Sequence, residues 1–233
     1  MRVLITTANH PQSYTLAYLL HGNEILFGEA IEDFPKEDSI SLAHELLKIC
    51  LDLEIEVVFP LRNKEMMPLA ESTVLYEEFG IKLMVDQGLE PIFNHQFDQA
   101  EDFNQLSASL LRAGYPNSAL AIGRADVSGN LLVIDDHQKN FNQVWNKMQS
   151  ISFSQIGKLF NQQHFEAIAI YQLSENLITA YVLNFNEETV FSAALSAEHQ
   201  DLIKSKFIGE NQEGFYQVDV SGNEILRIKN ALL

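Results

Sequence analysis

Thr6-Thr7-Ala8-Asn9-His10 places two hydroxyls, a carboxamide and an imidazole directly after the apolar run Val3-Leu4-Ile5. Groups of these types hydrogen-bond small polar ligands, and a helix starting just after them adds unpaired backbone amides that suit an anion. Arg62 follows a second apolar run, Val57-Val58-Phe59, and offers a guanidinium fork for a carboxylate or phosphate. Thr6, Thr7, Asn9, His10 and Arg62 are therefore the candidate ligand-binding residues. Thr7 and Asn9 have an alternative use as caps of the following helix, with His10 merely exposed.

A second polar stretch, Gly123-Arg124-Ala125-Asp126-Val127-Ser128-Gly129, lies between two strand-like runs and leads to Ile134-Asp135-Asp136-His137. A small-residue loop between strands can cradle phosphates. Arg124, Asp126 and Ser128 would then face a nucleotide, and Asp135 or Asp136 a metal. The plainer reading is a hairpin whose Asp pair caps a helix beginning near residue 138. No glycine stands between Met1 and Gly22, so a dinucleotide fingerprint is absent; H-E-x-x-H, C-x-x-C and G-x-S-x-G are absent too. His21, His44, His95, His164 and His199 show no metal-ligand spacing, and Trp145, with Phe141 and Met148 at helical spacing, reads as core.

The elements that must position these residues alternate between strand and helix. Strands are expected at 3–5, 24–27, 56–59 and 81–85, and helices at 12–20, 39–53 and 64–79. This rhythm implies right-handed crossovers and a doubly wound parallel sheet. Ligands of such sheets bind at the carboxyl ends of the strands, where the loops 6–11 and 60–63 lie. Residues 86–96, with Gly88 and Pro91, mark a candidate boundary, giving domains 1–92 and 93–233. In the second domain, helices are expected over 98–113, 138–148, 153–160 and 197–207. Strands are expected at 119–122, 131–134, 166–173, 177–185, 189–194, 214–220 and 224–228. The last two flank Ser221-Gly222-Asn223, a strong hairpin signal.

Composition narrows the partners. The chain of 233 residues is 46% hydrophobic and 20% charged, as globular proteins are. Its formal charge of −17 repels phosphate backbones and anionic membranes, so neither nucleic acid nor a membrane surface is the expected partner. Cys50 sits in an apolar helical run and reads as core, and no segment is long and apolar enough to span a bilayer or direct secretion. A cytoplasmic protein with a small-molecule ligand is expected, and a homo-oligomer is compatible with the sequence.

The opening Met-Arg-Val-Leu-Ile-Thr-Thr-Ala-Asn-His, then Val57-Val58-Phe59-Pro60 and Glu65-Met66-Met67-Pro68-Leu69-Ala70, resembles the Rossmann-like pre-ATP-grasp domain of carbamoyl-phosphate-synthase-like ATP-grasp proteins. The second half resembles a shortened ATP-grasp domain, through Ala113-Gly114-Tyr115-Pro116, Ile168-Ala169-Ile170-Tyr171-Gln172-Leu173 and the closing hairpin. The resemblance implies an α/β fold, a Rossmann-like parallel sheet followed by a reduced α+β domain, with ATP and Mg2+ as cofactors. It also implies a phosphate-binding lysine, where this chain reads Ala121-Ile122-Gly123-Arg124. A Glu-x-Asn metal motif is implied on the last strand, where Leu226-Arg227-Ile228-Lys229-Asn230 puts Arg227 or Ile228 in place of the acid. A non-catalytic small-ligand module is the first expectation. The alternatives are an ATP-dependent carboxylate-amine ligase with Asp126, Asp135 and Asp136 as relocated metal ligands, and a Rossmann-type oxidoreductase.

Overall fold

The computed structural model describes residues 1–62, 64–85, 92–93, 96–98, 103–115, 117–124, 131–134, 168–192, 195–208 and 213–231. The expected helices near 138–148 and 153–160, Trp145 included, lie outside the described residues.

The first sheet has the order β2-β1-β3-β4 and is parallel throughout, built from β1 (Arg2–Ile5), β2 (Glu24–Phe27), β3 (Val57–Phe59) and β4 (Lys82–Leu83). Its central strands are apolar on both faces because both are covered. Val3, Ile5, Val57 and Phe59 join Leu16, Leu19 and Leu20 of α1 (Ser13–Leu19 and its C-cap) in one core. Leu4 and Val58 face the other way, onto Leu46, Leu47 and Cys50 of α2 (Leu42–Asp52), with Leu69 and Tyr76. Each parallel pairing is in register, Val3 with Val57 and Ile5 with Phe59, so the loops after β1 and β3 emerge at one edge.

One helix expected over 64–79 is two: α3 (Met66–Glu71) and α4 (Thr73–Glu78). The reason is local. Ser72 Oγ donates to the Pro68 carbonyl at 2.8 Å and Thr73 Oγ1 to the Ala70 carbonyl at 2.9 Å, drawing the backbone out of the helical ladder. Gly80 ends α4 at φ +73°, a conformation open to glycine.

The stretch expected as an irregular boundary contains two short strands, β5 (Ile92–Phe93) and β6 (Gln96–Asp98). Their hydrogen-bond partners lie far along the chain, out of reach of a local pattern. A four-stranded sheet runs β6-β9-β7-β8, with β7 (Leu120–Arg124), β8 (Leu132–Ile134) and β9 (Ile168–Gln172) all antiparallel to their neighbours. Preceding β7, α5 (Phe103–Arg112) ends at Gly114, and Gln172 Nε2 donates to the Ala113 carbonyl at 2.9 Å.

A five-stranded sheet has the order β11-β10-β12-β13-β5. It uses β10 (Ile178–Phe185), β11 (Glu188–Phe191), β12 (Gly214–Ser221) and β13 (Glu224–Asn230). Asn186 and Glu187 both have positive φ in the turn joining β10 to β11, as does Gly222 between β12 and β13, which suits tight hairpins. A final helix, α6 (Ala197–Ile208), lies between them in sequence.

The chain groups into two compact units. The first is Met1–Glu90 with Thr179–Val218 and Lys229–Leu233, and the second is Pro91–Ile178 with Asp219–Ile228. This grouping is interleaved along the chain, whereas the expected cut between 92 and 93 is linear. Leu183, Phe185, Phe215 and Ala231 give the physical reason for the return to the first unit, since they complete the core against α1. No helix among the described residues is long and apolar enough to cross a membrane.

Candidate functional site

At the carboxyl edge of the parallel sheet the polar residues are bonded to one another. Thr6 is 1% exposed and extends β1: its amide donates to the Phe59 carbonyl at 3.1 Å, and its Oγ1 accepts from the Leu61 amide at 2.9 Å. The same hydroxyl donates to Glu65, which is fully buried. Arg62 meets Glu65 with Nε and Nη2, each 2.6 Å from Oε2, while its backbone amide donates to Oε1 at 2.9 Å. Nη1 of Arg62 donates to the Pro35 carbonyl at 2.7 Å, and the guanidinium stacks on Phe34 at 4.8 Å from the ring centre. The fork expected for a ligand is therefore held by the chain's own carboxylate. Burial pushes the Glu65 carboxyl above its ordinary range, with Arg62 and the Thr6 hydroxyl working in the opposite direction.

The loop itself is tied to Glu29. Thr7 Oγ1 donates to Glu29, the Ala8 amide donates to Oε2 at 2.6 Å, and Asn9 Nδ2 donates to Oε1 at 3.1 Å. Burial opposes ionisation of Glu29, but these hydrogen bonds outweigh it and hold its pKa below the ordinary value. Neither Thr7 nor Asn9 caps α1. Gln12 occupies the cap position without a side-chain cap bond, and Ser13 Oγ donates back to the Thr7 carbonyl at 2.6 Å. Gly28 brings the turn bearing Glu29 against β1: a Cβ there would lie 2.3 Å from the Thr6 carbonyl oxygen.

Asn9 and His10 are the remaining polar side chains of the loop. Asn9 is exposed, and among the described residues its Oδ1 has no hydrogen-bond donor. His10 is half-buried, and its Nδ1 accepts from the Gln12 amide at 3.3 Å, which assigns the neutral-ring proton to Nε2. Burial lowers the His10 pKa, with the Gln12 contact acting against it, which favours the neutral ring. At the opposite edge of this sheet, Met1, Arg2, Gly22, Glu24, Glu54 and Glu56 line an open recess of about 580 Å³.

In the second unit, the β7 and β8 strands pair antiparallel, Leu120 with Ile134, as the hairpin reading expects. Arg124 ends β7, whereas Asp126, Ser128, Asp135 and Asp136 lie outside the described residues. The closing hairpin carries what the sequence did not single out. Arg227 is fully buried, as is Asp219, and Arg227 Nε donates to Asp219 Oδ2. Magnesium requires a set of oxygen ligands, and a buried guanidinium on the strand expected to carry the metal acid does not fit it. Among the described residues no cluster of His, Cys, Asp or Glu could hold a metal ion.

Glu29, Glu65 and Asp219 were missed because acids in a sequence of charge −17 read as solvated surface. For Asp219 the available signal was its nearness, across a tight hairpin, to the arginine already noted in β13.

No protein-family model and no curated protein matches the chain. Solved structures do. N5-carboxyaminoimidazole synthase from Aspergillus clavatus, solved with ADP and 5-aminoimidazole ribonucleotide, aligns at a TM-score of 0.52 and 8% identity, over 98% of this chain and 68% of that one. The Staphylococcus aureus N5-carboxyaminoimidazole synthetase aligns at 0.48 and 12% identity, over 98% and 70%. The ATP-grasp ligase PsnB, complexed with a minimal-precursor variant, Mg and ADP, aligns at 0.41 and 10%, over 98% and 88%. With its parallel sheet followed by antiparallel sheets and a closing hairpin, this chain has an ATP-grasp-like fold.

Proposed function

We propose that the chain is a non-catalytic ATP-grasp relative that binds a small polar molecule through the loop after β1. The observation that carries this reading is the buried pair of Arg227 and Asp219 on the hairpin where the sequence resemblance implies a magnesium acid. Phosphoryl transfer depends on metal ions and cations arranged about the charge that develops, and a guanidinium committed to its own carboxylate supplies neither function.

On the ligand side, the His10 Nε2 donor and the Asn9 Oδ1 acceptor stand ready beside one another in sequence. Thr6, Thr7 and Arg62 shape the loop from behind through Glu29 and Glu65. A neutral imidazole and a carboxamide favour an uncharged or amide-like ligand over a phosphate, which a neutral pair cannot charge-balance. The test is an ADP-release assay with Mg-ATP and mixtures of small carboxylates and amines. The expected result is no ADP above the protein-free rate; substrate-dependent turnover would establish the ligase alternative and overturn this reading.

A further inference from the structure

We propose that Arg227 is a resident cation that keeps the β12–β13 hairpin charge-matched and closed to divalent metal, making Asp219 a structural counter-ion. This deepens the non-catalytic reading of the same hairpin and rests on it.

Small residues occupy the neighbouring strands β7 and β9. In the β7–β9 register Ala121 lies opposite Tyr171 and Gly123 opposite Ala169, so these four share one face of the sheet. Ala121, Ala169 and Tyr171 pack with Leu226 of β13 in a single core. Next to them, a Cβ placed on Gly123 would lie 3.9 Å from Arg227 Nη1 and 2.7 Å from Leu131 Cδ2. Glycine at 123 thus leaves room beside the guanidinium, and a side chain there would press on Leu131.

A guanidinium does not deprotonate in a protein, so Arg227 brings a permanent positive charge into the fold. Asp219, also fully buried, faces it across the hairpin. Tyr171 registers both charges: burial pushes its hydroxyl up to about 12, with Arg227 lowering and Asp219 raising it. A divalent ion approaching Asp219 would meet the guanidinium at contact distance in a medium that screens poorly, and among the described residues no cluster of His, Cys, Asp or Glu could hold it.

The experiment is thermal melting of the full chain in magnesium and in EDTA, for wild type, Arg227→Met, Arg227→Ala and the double variant Asp219→Leu with Arg227→Met. Wild type is expected to melt at one temperature in both media. Arg227→Met takes the guanidinium away from a buried carboxylate and should melt about 10 °C lower, while the apolar double variant recovers most of that loss. Millimolar methylguanidinium should raise the melting temperature of Arg227→Ala, and magnesium should not. If Arg227→Met fails to fold, a folded double variant supports the proposal and an unfolded one overturns it. A wild-type melting temperature that rises with magnesium, or an Arg227→Met protein as stable as wild type, also overturns it. ADP release by the wild type would overturn the non-catalytic reading alone, because these melts require no nucleotide.

Discussion

The carboxyl edge of the parallel sheet and the β12–β13 hairpin both carry acids paired with arginine, yet at the first the pair lies beneath an exposed polar loop and in the second both partners are enclosed. At the sheet edge, Glu65 is buried beneath Thr6 and Arg62, while Glu29 lies outside it, exposed and holding a loop whose Asn9 and His10 reach toward solvent. In the hairpin both partners are sealed. The difference separates two uses of the same chemistry: a buried ion pair under an open loop is a scaffold for recognition, whereas a wholly enclosed one matches charge and orders the strands.

The largest effect is expected at the sealed pair. Replacing Asp219 by Ala should destabilise the chain by about 3–5 kcal/mol, because the guanidinium is left buried without its acid. Chemical denaturation with an unchanged slope checks this. Glu65→Gln comes next. The amide still accepts from Thr6 or the Arg62 backbone but no longer neutralises Arg62, and a loss of about 2 kcal/mol is expected, in line with hydrogen bonds to charged groups. Arg62→Ala should fall in the same range, as its side chain is only 16% exposed and also holds Pro35.

Glu29→Gln should cost less, about 1 kcal/mol, since the tie is at the surface. Its pH dependence has a definite sign. The folded pKa lies below the reference value of 4.5, so the unfolded chain binds more protons in that window. The contribution of Glu29 is present above pH 4.5 and is lost as pH falls through the lowered folded value. Subtracting the acid limb of Glu29→Gln from that of wild type reads it out; an identical limb would remove Glu29 from the loop's stability. Smallest of all, Asn9→Ala with His10→Ala should leave the melting temperature within a degree or two, since neither is a core or cap residue. A drop as large as that of Arg62→Ala would make the whole loop structural and erase the contrast between the two regions.

Much of the architecture was legible from local pattern. Val3-Leu4-Ile5 and Val57-Val58-Phe59 are apolar without alternation because helices cover both faces, and that is how the parallel sheet announces itself. Ser221-Gly222-Asn223 marked the last hairpin because Gly222 accepts a positive φ. Partnerships were not legible. Thr6 and Glu65 are 59 residues apart and Thr7 and Glu29 are 22 apart, so no window of sequence contains both. Strand β12 shows another limit: Gln217, Asp219 and Ser221 alternate with apolar residues, a pattern that wet strands share, yet every residue of the strand is buried. Alternation reports a two-sided strand and is silent on whether the polar side is wet or paired.

Isothermal titration of the wild-type chain with Mg-ATP tests the central claim most directly, because the hairpin on which the resemblance implies a metal acid carries a buried arginine paired with Asp219. No saturable heat is predicted up to millimolar nucleotide, with magnesium or without it. Micromolar binding that disappears when magnesium is chelated would contradict the account.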